Sequence, residues 1–440
     1  MIKQTKIMLT GLSLAAVMVL TGCNNNTKPM NAEANMITAY ANIAHANYND
    51  ALKDAISLQT EIDKFVSNPN EITLANAKAA WLISRESYGQ TEIFRLANGP
   101  VDAEDGWVAE KYGSLEGQLN AWPLDENMID YTVNAKGMKT KGNIIDTKGS
   151  FNPGGEDSKA VNVSIITVDA LADLNENGGD ANVASGYHAV EFLLWGQDQD
   201  YNNFVKDSIT KGPLQAGNRP LSDFTSDDNA DRRKAYLQAA SQKIINDLTV
   251  VTSAWTKDDN TNYRAALLGK NVDSKKNISN EDAQKAIFAG MGVFIKSELA
   301  NERIAVAVLT PSEEDEHSCF SDNTHRDITT NYQGFKNILM GTYKDMDYGQ
   351  APIDAMSKSG KEEILMLMAK IETKIDSINA IAETSRHFDY QIRPNDPQAK
   401  VIVKLKNELR KLGDKMVLVA SANGINLSIE DVTDADETKL

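Results

Sequence analysis

From Pro69 and Pro100 to Pro394 and Pro397, the prolines of this chain fall between its apolar-periodic blocks and never inside one. Proline fixes φ and lacks an amide donor, so inside a helix it costs ~3 kcal/mol or more. Blocks that exclude it so consistently read as helices, and the gaps between them as helix ends. The apolar spacing agrees. Tyr40, Ala44, Tyr48, Leu52 and Ile56 recur at every fourth position and predict an amphipathic helix reaching about Val66. Tyr236, Ala240, Ile244, Leu248 and Val251 predict another that Trp255 closes, and residues 327–343, 354–387 and 399–420 predict three more. Residues 161–168 and 401–405 also satisfy strand spacing, but their neighbours favour helix. The expected fold class is all-α with long connections. The Gly-, Asn- and Asp-rich region 101–156 is one of these, with Trp122-Pro123-Leu124-Asp125 as an anchored turn and its tryptophans plugging the core.

The first residues set the compartment. Lys3 and Lys6 precede an apolar run at 7–20, which is shorter than the ~20 residues needed to span a bilayer, and Leu20-Thr21-Gly22-Cys23 follows. This predicts a lipoprotein signal peptide over 1–22, a lipid on Cys23 and a polar tether over 23–31. Asn24 is not the Asp that retains a lipoprotein at the inner membrane, which favours the outer membrane, on its periplasmic or surface face. The 62 Asp and Glu against 45 Lys and Arg give a formal charge of −17. Nucleic acid is thereby excluded as a partner, since binding it needs basic patches that release counterions. The same charge makes the lipid, not the protein surface, the membrane contact. Once Cys23 is lipidated, Cys319 has no cysteine partner, so stability must come from an apolar core.

Polar chemistry enters an apolar helix in one place, residues 185–198, where His188 and Glu191 stand three apart and so on one helical face. An imidazole and a carboxylate so placed can share a metal ion. They can equally hydrogen-bond to each other and fix the imidazole tautomer. On the predicted helix 72–97, Arg85, Tyr88, Glu92 and Arg95 follow steps of three, four and three, which puts them on one face. That face is either solvated or part of a site. Residues 313–327 hold the densest set of ligand-type side chains, with His317, Cys319, Asp322 and His325 as a second ligand loop. Ser321, Asp322, Asn323 and Thr324 could instead simply cap the next helix. His45 and His387 read as isolated.

Gly186-x-His188-x-x-Glu191 running into Phe192-Leu-Leu-Trp-Gly-Gln-Asp198 resembles the signature of the imelysin family of bacterial envelope proteins, which includes an iron-regulated protein A group. Trp81-Leu-Ile-Ser-Arg85-Glu-Ser-Tyr88, followed by Glu92-Ile-Phe-Arg95 and Gly99-Pro100-Val-Asp102, is similar to a second family pattern, and the 313–327 loop to a string of the iron-regulated branch. The resemblance implies two helical bundles related by duplication, with the His-x-x-Glu helix near their interface. The bundles are expected at 32–210 and 229–425, joined by a linker at 211–228 and followed by an acidic tail at 426–440. Laid over the motif, Gly290 matches Gly186, but Gly292 falls at the place of His188 and Ile295 at that of Glu191, so the second half lacks the pair.

Two functions follow as expectations. One is a lipoprotein that binds a metal ion, iron or zinc, or a metal chelate at His188 and Glu191, assisted by Arg85, Tyr88, Glu92, Arg95, Glu298 and Arg303, and serving iron acquisition with iron-uptake partner proteins. The alternative is a metal-dependent peptidase. Zincin chemistry wants two histidines, a third ligand and a separate glutamate base, whereas the motif helix has one histidine. The other half of the site should lie on the Arg85 to Arg95 face, at Glu298 and Arg303, or in the His317 to His325 loop.

Overall fold

The opening helix, Met36–Ser67, begins where Asn35 accepts the amide of Thr38 at the N-cap. A computed structural model describes residues 35–134, 136–198, 213–309 and 315–435, so the expected signal peptide, tether and Cys23 lie outside the described residues. The all-α expectation holds. Among the described residues the only sheets are two antiparallel pairs of two-residue strands, Ser150–Phe151 with Val161–Asn162 and Thr342–Tyr343 with Met346–Asp347. No proline sits in the interior of a described helix. None of these helices is long and apolar enough to cross a membrane.

Two local expectations fail. Val161–Asn162 is extended, and the helix there runs only over Val168–Leu174, started by the Thr167 side chain that accepts from Ala170 N. Residues 401–405, by contrast, lie inside Ala399–Ala422. Ile56, expected on the buried stripe of the first helix, is 49 % exposed. A strict fourth-position repeat drifts about 40° per step around a helix of 3.6 residues per turn. The buried row therefore passes to Ala55, Leu58, Ile62 and Phe65.

The helices gather into two groups. Met36–Ser67 packs on Glu71–Thr91 and on Ala230–Trp255, and the latter also covers Gly186–Trp195. The second group is Asn280–Val293, its continuation Phe294–Ala305, Lys358–Thr384 and Ala399–Ala422. Thr324–Met340 joins the two, packing on Glu71–Thr91 from one side and on Phe294–Ala305 and Lys358–Thr384 from the other. Glycines permit the approach. A Cβ on Gly89 would collide with the Thr330 hydroxyl, and one on Gly334 with the Gln90 carbonyl. This close seam carries residues 315–327 to the motif helix.

Candidate functional site

The motif helix Gly186–Trp195 is buried along all ten of its residues, so it is set by what it touches and not by a solvent face. Gly186 adopts φ +85°, and a Cβ there would lie 2.6 Å from the Leu119 carbonyl oxygen. The glycine of the motif is thus required for contact with the short helix Glu116–Asn120, which carries Asn120. Ser185 Oγ ties the same junction by donating to the Gln118 carbonyl at 2.9 Å.

His188 and Glu191 are directly hydrogen-bonded, Nδ1 to Oε2 at 2.9 Å, and both are fully buried. The other Glu191 oxygen accepts from Ser321 N at 2.9 Å and Ser321 Oγ at 2.6 Å. The two residues read from the sequence as joint ligands therefore meet as ring and ring-holder. The second imidazole comes from the loop: His317 Nε2 stands 3.2 Å from His188 Nε2. His317 repeats the arrangement, its Nδ1 lying 2.9 Å from Asp327 Oδ2, which also accepts from Ser318 Oγ at 2.5 Å. Trp122 packs over this pair, its ring 4.9 Å from that of His188 and 6.5 Å from that of His317. It is a wall of the site as well as a plug of the core.

The Arg85 to Arg95 face is buried at the seam between the helix groups. The helix ends at Thr91, and Glu92–Phe94 continues as a 3-10 turn, which swings Arg95 off the predicted line. Arg85 holds Asp327 through Nη2 at 3.0 Å and Asn120 Oδ1 through Nη1 at 2.6 Å. Tyr88 stacks at 4.6 Å on Tyr187, beneath the Arg85 guanidinium. Asn120 Nδ2 donates to Glu92 Oε2 at 3.3 Å and approaches His317 Nε2 at 3.4 Å. From the other helix group, Phe294–Ala305 is wound as a π-helix, so residues five apart share a face. Glu298 and Arg303 meet at 2.7 Å, and Arg95 reaches Glu298 at 2.9 Å and Glu92 at 3.4 Å. Every supporting residue named from the sequence lies in this one network.

Electrostatics separates the groups. Burial alone would raise Asp327, but Arg85 and His317 hold its carboxyl far below the usual range, so it is ionised. Burial, with Arg303 nearby, lowers His317 to about 4, and burial with His317 and Arg85 lowers His188 further below its ordinary value. Burial pushes Glu191 up to about 8 against the Ser321 hydrogen bonds. Ionised Asp327 takes the Nδ1–H of His317 and leaves Nε2 as a lone pair. Neutral Glu191 can donate to His188 Nδ1, whose Nε2–H then donates to His317 Nε2, so every donor meets an acceptor. With Glu191 ionised, two lone pairs face each other and call for a cation between them.

The loop divides. Of His317, Cys319, Asp322 and His325, the structure brings only His317 to the motif. Cys319 lies in the apolar core. Asp322 is hydrogen-bonded to His387 Nδ1, so His387 is not the isolated histidine expected. Asn323 occupies the helix N-cap position but makes no capping hydrogen bond, which removes the simple capping account. Sequence reasoning passed over Asn120, and it read Trp122 as a turn anchor and core plug and Ser321 as a helix cap. It read Asp327 only as a helix start, although an acid ten residues after His317 at a helix N-terminus was a visible signal.

Two Nε2 atoms 3.2 Å apart match one edge of a tetrahedral site, ~3.3 Å for metal–nitrogen bonds of ~2.0–2.1 Å, and each ring is held through Nδ1 by a carboxylate, as ligating histidines usually are. No three His, Cys, Asp or Glu groups among the described residues stand close enough to share an ion. The pair thus fits an ion held by two imidazoles, with no third such ligand beside them among the described residues.

An all-helical protein with a buried, carboxylate-held histidine pair at the seam of two helix groups is the class defined so far. The imelysin family model matches residues 44–416, and the chain belongs to that family. It is 22 % identical over 337 residues to iron-regulated protein A of Synechococcus elongatus, covering 76 % of this chain and 72 % of that protein. A crystal structure assigned to an iron-regulated protein A precursor of Parabacteroides distasonis shares the fold, with a TM-score of 0.57 at 17 % identity over 88 % of this chain and 94 % of the other.

Proposed function

We propose that this protein serves iron handling in the cell envelope by binding a transition-metal ion, free or chelated, as cargo on the Nε2 atoms of His188 and His317. The observation that carries this reading is the pair itself: two buried imidazoles, Nε2 to Nε2 at 3.2 Å, each backed by a carboxylate. Glu191 and Asp327 orient the rings, and Arg85 keeps Asp327 ionised and in place. With two donors among the described residues, coordination positions remain for a chelate. Trp122 and Asn120 give that cargo an aromatic wall and an amide. A lipid on Cys23 would hold the protein at the outer membrane, where iron-uptake proteins are its natural partners.

The motif helix argues against the peptidase alternative. Glu191 has one oxygen on Ser321 and the other on His188, so the motif helix retains no carboxylate for a general base. The test is metal analysis of the purified protein after exposure to iron(II), iron(III) and zinc, alongside His188→Gln and His317→Gln. Both variants should lose the bound ion. Undiminished binding in both would overturn the assignment, and chelator-sensitive cleavage of an unfolded protein would revive the peptidase.

A further inference from the structure

The chain has five histidines, and besides the inner pair and His45 there remain His325 and His387. His325 and His387 line one cavity of about 410 Å³, together with Ser321, Asp322, Asn323 and Glu383. Both rings spend Nδ1 on the same residue: His325 Nδ1 lies 3.0 Å from the Asp322 carbonyl oxygen, and His387 Nδ1 bonds the Asp322 carboxylate. Backbone carbonyl and carboxylate are the two partners that ligating histidines usually take on the nitrogen turned away from the metal. Each ring is left with Nε2 as its ligating atom, and among the described residues neither Nε2 makes a hydrogen bond.

Two further observations point to a ligand. Asn323 is 5 % exposed and lines the cavity, yet its Nδ2 has no hydrogen-bond partner. A buried amide left so costs ~1–3 kcal/mol, which an oxygen arriving in the cavity would relieve. The charge at the rim is also permissive. Arg326 is paired with Glu86 through two contacts of 2.8 Å, and Glu383 adds a second carboxylate on the same wall. We propose that this cavity is a second metal site, taking one divalent transition-metal ion on His325 and His387, with Asn323 Nδ2 donating to a water or carboxylate oxygen bound to that ion. Imidazole ligands suit zinc, cobalt, nickel and copper and disfavour calcium and magnesium. The site does not depend on the inner pair. It adjoins that pair, because Ser321, which lines the cavity, donates to Glu191.

Titration of the full-length protein with cobalt(II), read by visible absorption and elemental analysis, tests the proposal. The unsubstituted protein should bind two equivalents and the His325→Gln/His387→Gln variant one. The His188→Gln/His317→Gln variant should keep the outer equivalent, so failure of the inner assignment leaves a different pattern from failure of this one. Because His387 is partly exposed, His387→Gln alone guards against a misfolded double variant and should weaken the outer equivalent by at least about tenfold. Cobalt uptake by the outer double variant equal to that of the unsubstituted protein, with His387→Gln also unchanged, overturns the proposal.

Discussion

The Cβ that Gly186 lacks would stand 2.6 Å from the Leu119 carbonyl oxygen, and the one that Gly290 lacks would stand 2.7 Å from that of Leu96. Both glycines let a helix press on backbone from elsewhere in the chain, and from there the two helices diverge. After Gly186 come His188 and Glu191. After Gly290 come Gly292, whose Cβ would meet the Val432 side chain, and Ile295, which is fully buried. The second helix supplies no ligand to the inner pair and winds into a π-helix that turns Glu298 and Arg303 to one side. One region provides the imidazole and its carboxylate. The other provides fixed charge, which reaches the pair through Glu92 and Asn120.

The division can be broken most forcefully at Asp327, which joins His317 to Arg85. Asp327→Ala strands a buried guanidinium, and loss of one partner of such a pair costs ~3–5 kcal/mol. Chemical denaturation should show a loss of that size, whereas an Ala substitution at Lys285, whose partner Glu281 is largely exposed, should leave the denaturation midpoint unchanged. Next in size are the glycines. Gly186→Ala adds strain at φ +85° to its backbone clash, while Gly290 lacks the positive φ. Gly186→Ala should therefore melt lower than Gly290→Ala, with a loss of roughly 3 kcal/mol against roughly 2 kcal/mol.

Glu298 tests the charged side by pH. Burial would raise its carboxyl, but Arg303 and Arg95 hold it at about 2, below the ordinary 4.5. A group depressed in the folded state stabilises above its unfolded pKa, so this contribution is full above pH 4.5 and lost as pH falls from there to about 2. The stability difference from Glu298→Gln, ~3 kcal/mol at neutral pH, should shrink across that window. A gap independent of pH would show that charge is not what Glu298 contributes. The smallest effect on the fold belongs to Glu191→Gln, which keeps a hydrogen-bonding side chain against His188 and Ser321. It should change stability little and weaken metal binding ~10–100-fold, the usual cost of a disturbed ligand holder, as isothermal titration can measure.

Much of this was legible because helical periodicity and proline placement are local. Met36–Ser67, Ala230–Trp255 and Ala399–Ala422 lie close to where spacing put them. Ile56 failed because burial follows 3.6 residues per turn and not four. The π-helix had no signature of its own, because its apolar pattern is also that of an α-helix. At the site, the composition of 313–327 marked the loop, but the pairing of His317 with His188 depends on the glycine seam between Glu71–Thr91 and Thr324–Met340. Contact across 129 positions has no local signature. His387 is the sharpest case: alone in the sequence, it is joined in the fold to Asp322, 65 positions away.

The central claim is that His188 and His317 together form the metal seat, with Glu191 holding a ring and not ligating. Crystals soaked in iron or zinc and measured at the metal absorption edge test it directly. The account predicts an anomalous peak within bonding distance of both Nε2 atoms, with Glu191 still on His188 Nδ1 and Ser321. A peak bonded to Glu191, or an inner pair without a peak while metal occupies other parts of the molecule, would contradict it.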